Sequence, residues 1–455
     1  MTRMSNKTRT ILEWILMLGG WFFFEWQYVE VLEVTNRYLL KDHFPMIWSI
    51  MAIVEIILSQ SWKRKGNWIL YAGFALVVVR CMFTPEESQN VCFKVVTNSI
   101  WAMGVCYHLG SALSKKNLIR FIKVLIAGWT IQQTIASVAG IYCTLYDKTI
   151  LNMAGHKLIW FDGRLSLLTF CTIAASNLVV SFFAAMLGVS MTKNIFARIL
   201  YIVSMLIMFV AIALTSTRTA FISIGAGLGM FFIGWLMRKV GHKEGNGQYR
   251  LRRLIIRGSV IAGALAIVVV ICIVMMQGGT LFNEGKSTVM DSEGVPVLKR
   301  SFSLTSNLLS GREAIWECGI KMLQDNPRYL LYGASFGDHM IKEANSYYVL
   351  GNDVPFIHFH NIYLQALVEC GIGGLLLLLG FIIYFAKAAI SLYANKQWSA
   401  WKCMLPIIPA VAFLADMVEC MALLQYNHVV LPFMMLFMGV TIRVAAEQQE
   451  FAEII

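Results

Sequence analysis

Long apolar runs joined by short polar connections fill most of this chain, and one polar stretch, from about 278 to 360, interrupts them. A helix needs about 20 apolar residues to cross the ~30 Å hydrocarbon core of a bilayer. Runs of that kind lie near 11–33, 44–60, 67–83, 91–113, 119–146, 166–190, 195–215, 217–237, 255–277, 361–387, 401–422 and 428–445. The pattern predicts an all-α fold, a polytopic membrane protein of about 12 transmembrane helices with one large, partly helical extracytoplasmic loop between helices 9 and 10. Three parts follow: transmembrane helices 1–9 over 1–277, the loop over 278–360, and helices 10–12 with a cytoplasmic tail over 361–455. The first run has no small-residue cleavage site and reads as a retained span. No internal repeat or low-complexity tract is visible.

Within the loop, Ser310-Gly311-Arg312-Glu313 fits a capping box, and Ile315, Cys318 and Met322 then recur at helical spacing. Asn326-Pro327 should stop that helix, and Gly333-Ala334-Ser335-Phe336-Gly337 reads as a turn. The loop closes on His358-Phe359-His360-Asn361 and runs directly into the tenth apolar run. If that helix includes His360, then Leu367, Gly371 and Gly374 share its face, and the two glycines admit the close approach of another helix. By the same geometry Glu369 falls roughly opposite, outside any cluster around His360.

Composition agrees with the pattern. Hydrophobic residues make up 58% and charged residues 14% of the 455, against roughly half and a quarter in ordinary soluble domains. Lys plus Arg number 38 and Asp plus Glu 26, a net charge of +12. The basic residues gather in alternate connections: Arg3/Lys7/Arg9, Lys63-Arg64-Lys65, Lys115/Lys116/Arg120/Lys123, Lys193/Arg198, the glycine-containing arm from Arg238 to Arg257, Lys387/Lys396/Lys402, and Arg443. The positive-inside rule then places both termini in the cytoplasm and the 278–360 loop outside, in the plasma membrane of the cell. Because the charge is divided among short connections, it points to anionic lipid and excludes nucleic acid as a partner. Of the ten cysteines, most lie inside apolar runs and act as small apolar residues. No disulfide framework is implied, although Cys81 and Cys92 flank one short connection and could pair. No cysteine or histidine spacing indicates zinc.

His360 is the first candidate for chemistry. A histidine at the mouth of a membrane helix, with water on one side, can act as a general base at neutral pH; the bland alternative is an interfacial histidine. His358, two residues earlier, could be a metal partner, but a lone His-x-His is weak evidence. Arginines form the second group. Arg218, in the tight turn Thr215-Ser216-Thr217-Arg218-Thr219, lies on the external side, where positive-inside does not account for it. Arg312 opens the loop helix, and Arg164 follows Asp162-Gly163 at a span boundary. Planar guanidinium groups suit phosphate oxygens, so a diphosphate is a natural ligand; snorkelling or salt-bridging is the bland account of each. The third group is the acids within the apolar runs: Glu25, Glu55, Glu369, Asp416 and Glu419. Asp416 and Glu419 share a helix face and could pair with Arg218 or Arg164. Beyond Asp291-Ser292-Glu293, in flexible loop, no paired-carboxylate motif supports a metal-dependent glycosyltransferase, and serine-hydrolase, P-loop and Rossmann signatures are absent.

Taken in order, Ser216-Thr217-Arg218-Thr219-Ala220-Phe221, Ser310-Gly311-Arg312-Glu313-Ala314-Ile315-Trp316, Asn326-Pro327, Gly333 to Gly337, and His360-Asn361-Ile362-Tyr363-Leu364 through Glu369, Gly371, Gly373 and Gly374 resemble the O-antigen ligase and polymerase superfamily. The resemblance is strongest over about 200–385. It implies a membrane glycosyltransferase that takes a glycan from a polyprenyl diphosphate carrier and joins it to an acceptor, with neither metal nor cofactor. It further implies that Arg218 and Arg312 hold the diphosphate and that His360 orients or deprotonates the acceptor hydroxyl. Arg164 is added to the diphosphate ligands from this sequence, with Asn361, Asp416 and Glu419 in support. The expected partners are the lipid-linked donor, a glycan or lipid acceptor, the bilayer, and a possible chain-length regulator. Polymerase is preferred over ligase, and a lipid-linked glycan transporter is the alternative of another class.

Overall fold

In hydrocarbon the backbone must satisfy its own hydrogen bonds, which an apolar run of this length does as a helix. The computed structural model describes residues 7–8, 10–16, 18, 50, 53–54, 57, 67–83, 107–146, 165, 167, 171–215, 217–240, 312–334, 336, 338–347, 358–394, 399–419 and 430–447. Every regular element among them is a helix: α1 (Asn67–Met82), α2 (Tyr107–Ala112), α3 (Lys115–Leu145), α4 (Cys171–Met191), α5 (Ile195–Thr215), α6 (Arg218–Val240), α7 (Arg312–Asp325), α8 (Tyr329–Tyr332), α9 (Asp338–Ser346), α10 (Ile362–Ala394), α11 (Ala400–Met404), α12 (Ile407–Glu419) and α13 (Val430–Ala446). Among the described residues α3, α4, α5 and α10 are long and apolar enough to cross a membrane, and α1, α6, α11–α12 and α13 supply shorter apolar helices. The expected run at 255–277, Ser310 of the capping box and Cys92 lie outside the described residues.

The chain divides into two compact units. One comprises Ile122–Leu304, Ala389–Ala412 and Glu447–Ile455. Its centre is the hairpin of α4 and α5. The turn between them is closed by Asn194, whose Oδ1 accepts from the Phe196 amide at 2.9 Å, and by Arg198 Nε, which donates to the Thr192 carbonyl at 2.7 Å. An N-cap of this kind satisfies amides that the first helical turn leaves free. Helices α6 and α11 also pack against α4. The Trp129 indole N–H of α3 donates to Ser181 Oγ on α4, so a polar ring edge buried in this unit is satisfied.

The other unit comprises Met1–Phe121, Thr305–Ala388 and Phe413–Ala446. Here α2 and α13 cross at backbone contact, because Gly110 and Gly439 leave no side chain between them. Arg443 donates to the Leu113 carbonyl beside that crossing. The loop helices form a small core of their own. Helix α7 buries Cys318, Gly319, Met322 and Leu323 and exposes Glu313, Glu317 and Lys321, the amphipathic pattern its sequence predicts. It ends at Asp325, before Asn326-Pro327. Met340 and Ala344 of α9 join the same core, as do Phe359 and Val368. Glu343 ties α9 to the start of α8, accepting from Asn326 Nδ2 at 3.1 Å and from the Tyr329 hydroxyl at 3.2 Å. Burial, and next the Glu343 charge, push the Tyr329 hydroxyl up, so it remains a protonated donor.

Helix α10 is where the fold departs from expectation. It runs 33 residues, but Gly371 interrupts it with φ 67° and ψ −166°. At about 1.5 Å per residue the whole helix is roughly 50 Å long, well beyond the ~30 Å core, and the stretch from Gly371 onward is long enough to cross by itself. The head before the break, carrying Val368, packs instead with the loop helices. Backbone meets backbone at the break. The Ala334 amide donates to the Val368 carbonyl at 2.6 Å. A Cβ on Gly333 (φ +82°) would lie 2.2 Å from the Glu369 oxygen, and one on Gly371 would lie 2.4 Å from the Leu331 oxygen. Both glycines are needed twice over, for positive φ and for the close approach. From α1, Arg80 Nη2 donates to the Gly333 carbonyl at 3.0 Å, and its guanidinium stands 5.7 Å from the centre of the Tyr332 ring.

Candidate active site around His360

His360 does not belong to α10. It precedes the helix in left-handed backbone with φ +49°, a conformation that costs a non-glycine residue about 1–2 kcal/mol. Such strain persists only where its neighbours enforce it. They do so from three directions. Phe359 is fully buried in the loop core, and a Cβ on Gly319 would come within 2.8 Å of its ring, so the segment is pinned directly against α7. Asn361 caps α10, its Oδ1 accepting from the Tyr363 and Leu364 amides at 3.0 and 3.1 Å. Buried His358 turns back on its neighbour: the His360 amide donates to His358 Nδ1 at 3.2 Å, with ring centroids 3.9 Å apart. With Nδ1 accepting, the proton of neutral His358 sits on Nε2. The His360 side chain is left half-buried.

Two expectations are corrected here. His360 shares no helical face with Leu367, Gly371 and Gly374, since it lies outside the helix and Gly371 breaks the periodicity. The close approach at Gly371 is real, but it comes from the loop backbone at Leu331 and Tyr332 rather than from a membrane helix. Glu369 is also not apart from this cluster. Gln365 Nε2 donates to Glu369 Oε1 at 2.6 Å, and Gln365 Oε1 accepts from the Phe359 amide at 3.0 Å. A helical face cannot be continued through His360, which is not helical, and Gln365, one turn into α10, reaches back to the segment that enters the helix. Gln365 and Glu369 are four apart within an apolar run, and that polar pair was the available signal.

The remaining candidates are placed unequally. Arg312 is the first residue of α7, half-buried, where helix amides and a guanidinium both favour an anion. Arg218 is the first residue of α6, directly after a turn so short that only Ser216 and Thr217 separate it from α5. Buried Thr217 Oγ1 donates to the Thr215 carbonyl at 3.2 Å in that turn. The Arg218 side chain and Arg164 lie outside the described residues. Leu165, which follows Arg164, donates its amide to the Leu214 carbonyl at 3.1 Å, one residue from the end of α5. Asp416 and Glu419 sit on the last turns of α12, with side chains outside the described set. Phe413, one turn earlier, stacks edge-on against Tyr363 of α10 with centroids 6.4 Å apart, so that helix passes the start of α10. Among the described residues no group of three His, Cys, Asp or Glu side chains could hold a metal ion.

The strained turn, the capped helix and the arginine-led loop helix all fall within the segment where a family match is found. Residues 203–379 match the family model described as O-antigen ligase. Over that segment the chain is similar to the O-antigen ligase family. No curated protein matches the chain significantly. That match, together with helices apolar enough to span a bilayer, supports a membrane protein similar to the O-antigen ligase and polymerase superfamily.

Proposed function

We propose that the protein is an integral membrane glycosyltransferase. It transfers a glycan from a polyprenyl diphosphate carrier to an acceptor sugar hydroxyl on the outer face of the plasma membrane, without a metal. The observation that carries this reading is His360 itself: a half-buried histidine held at φ +49° by a buried phenylalanine before it and a capped helix after it. Strain of this kind at a titratable side chain marks a group whose aim matters. In this reading His360 orients or deprotonates the acceptor hydroxyl, and one direct displacement inverts the anomeric carbon. Arg312 and Arg218 hold the diphosphate, whose negative charge grows as it leaves. Arg164 serves the same group, Asn361 fixes the helix start, and Asp416 and Glu419 supply polar support.

Polymerisation of lipid-linked repeat units, adding to an O-antigen or capsule-like surface polysaccharide, is the preferred reaction. Ligation to a lipid core or protein is the second reading, favoured by the family's description as O-antigen ligase. Reconstitution with a polyprenyl-diphosphate-linked repeat unit, followed by gel separation, distinguishes them. A ladder of lengthened lipid-linked glycans is expected. A single transfer to a different lipid would establish ligation instead, and movement of intact substrate across the bilayer with no new bond would refute both.

A further inference from the structure

We propose that Gln365 and Glu369 are positioning residues for His360, a strut that carries the seating of the loop to the reacting histidine. The proposal rests on the catalytic reading of His360 and assigns a task that reading leaves open: what holds the side chain in place. The direction of a histidine in left-handed backbone depends on the peptide units on either side of it. The following one is anchored by the Asn361 cap. The preceding one donates the His360 amide to His358 Nδ1 at 3.2 Å, and the unit before that donates the Phe359 amide to Gln365 Oε1 at 3.0 Å.

A carboxamide presents an acceptor at one end and donors at the other, so by itself Gln365 could offer either end to Phe359. Glu369 removes that choice. Its Oε1 accepts a hydrogen bond from Gln365 Nε2 at 2.6 Å, which turns the carbonyl oxygen toward the Phe359 amide. Both side chains are buried, at 5% and 4% exposure, so water does not compete for these bonds. The far end of the strut is no less determined. The Glu369 carbonyl is the atom against which the Gly333 α-carbon packs, beside the Ala334–Val368 hydrogen bond. Loop turn, Glu369, Gln365, Phe359 and His360 thus form one continuous path through bonded or touching groups.

The full-length protein in proteoliposomes, assayed with a polyprenyl-diphosphate-linked glycan, tests this. Glu369→Leu and Gln365→Leu should each lower kcat at least tenfold while donor KM changes less than threefold. The double variant should be no slower than the worse single one, because both break the same path. Glu369→Gln keeps an acceptor oxygen at the same reach and should retain kcat within about threefold of the parent. Should Glu369→Leu fail to accumulate in the membrane, Gln365→Met, which keeps the length without the amide, carries the same expectation. Unchanged kcat in Gln365→Leu, with His360→Ala inactive, would overturn the strut and leave the catalytic reading standing. Loss in Glu369→Gln equal to that in Glu369→Leu would also overturn it. Full activity of His360→Ala would bring down both.

Discussion

Helices α5 and α10 carry the same signal in sequence, a long apolar run at a membrane, and the structure puts them to different uses. Helix α5 is unbroken. It buries Met208, Ala211, Ile212, Ala213 and Thr215 toward one end and leaves Phe196, Leu200 and Leu206 more than 60% exposed, as side chains facing lipid would be. Helix α10 is split at Gly371 into a spanning part and a head that packs with soluble-type helices. The head holds buried Gln365 and Glu369, groups that a lipid-facing helix avoids. Hydropathy therefore identifies a helix but not where the membrane ends along it. Along α10 a backbone break, and what docks there, separate the head from the rest of the apolar helix.

The sharpest way to separate the two helices is to change what only one of them carries. Replacing His360 by Ala, just ahead of α10, should reduce glycan transfer by about 100-fold or more, the usual scale for general acid–base groups, with membrane yield unchanged. Gly371→Val attacks the break itself. It forces a β-branched residue into positive φ and drives its side chain into the Leu331 backbone. Heat-induced aggregation in detergent should show destabilisation of about 3 kcal/mol or more, and protease should cut the 312–347 region sooner. Arg80→Ala removes a charge-assisted bond to the Gly333 carbonyl and should cost about 1.5–3 kcal/mol in the same measurement. Asn361→Ala removes the α10 cap and should cost about 1 kcal/mol. The comparison predicts almost nothing on the other helix: Leu200→Ala, 68% exposed on α5, should lie within about 0.5 kcal/mol of the parent. A loss from Leu200→Ala as large as that from Gly371→Val would erase the distinction.

Much of the architecture was legible because it rests on local regularity. Apolar runs set α1, α3, α4, α5 and α6 close to their expected limits, and the spacing of Ile315, Cys318 and Met322 set the buried face of α7. The Asn326-Pro327 stop and the tight turn before Arg218 were equally readable, since each depends on residues adjacent in sequence. What was not readable depends on distant partners. Three glycines stand at 371, 373 and 374, and nothing local says which of them breaks the helix. Gly371 does, because the turn from Leu331 to Ala334 needs room there, whereas Gly373 meets only the Leu76 side chain at an ordinary 3.7 Å. The site follows the same division. Arg312 and Asn361 were found at helix starts, where short-range rules apply. Gln365 was missed because its value comes from a bond back to Phe359, and Arg80 because its acceptor lies 253 positions away.

That separation has a consequence for how the protein is made. Gly333 receives Arg80 from one side and the Val368–Gly371 break from the other, so the loop lacks one of its two supports until α10 has been synthesised. At translation rates of about 5–20 residues per second, Arg80 precedes Gly333 by roughly 13–50 seconds. During that interval the first helices can insert and pack, while Gly333 and the His360 segment have yet to be made. The strained turn at His360 is thus framed only late in synthesis, once α10, which follows it directly, has been made.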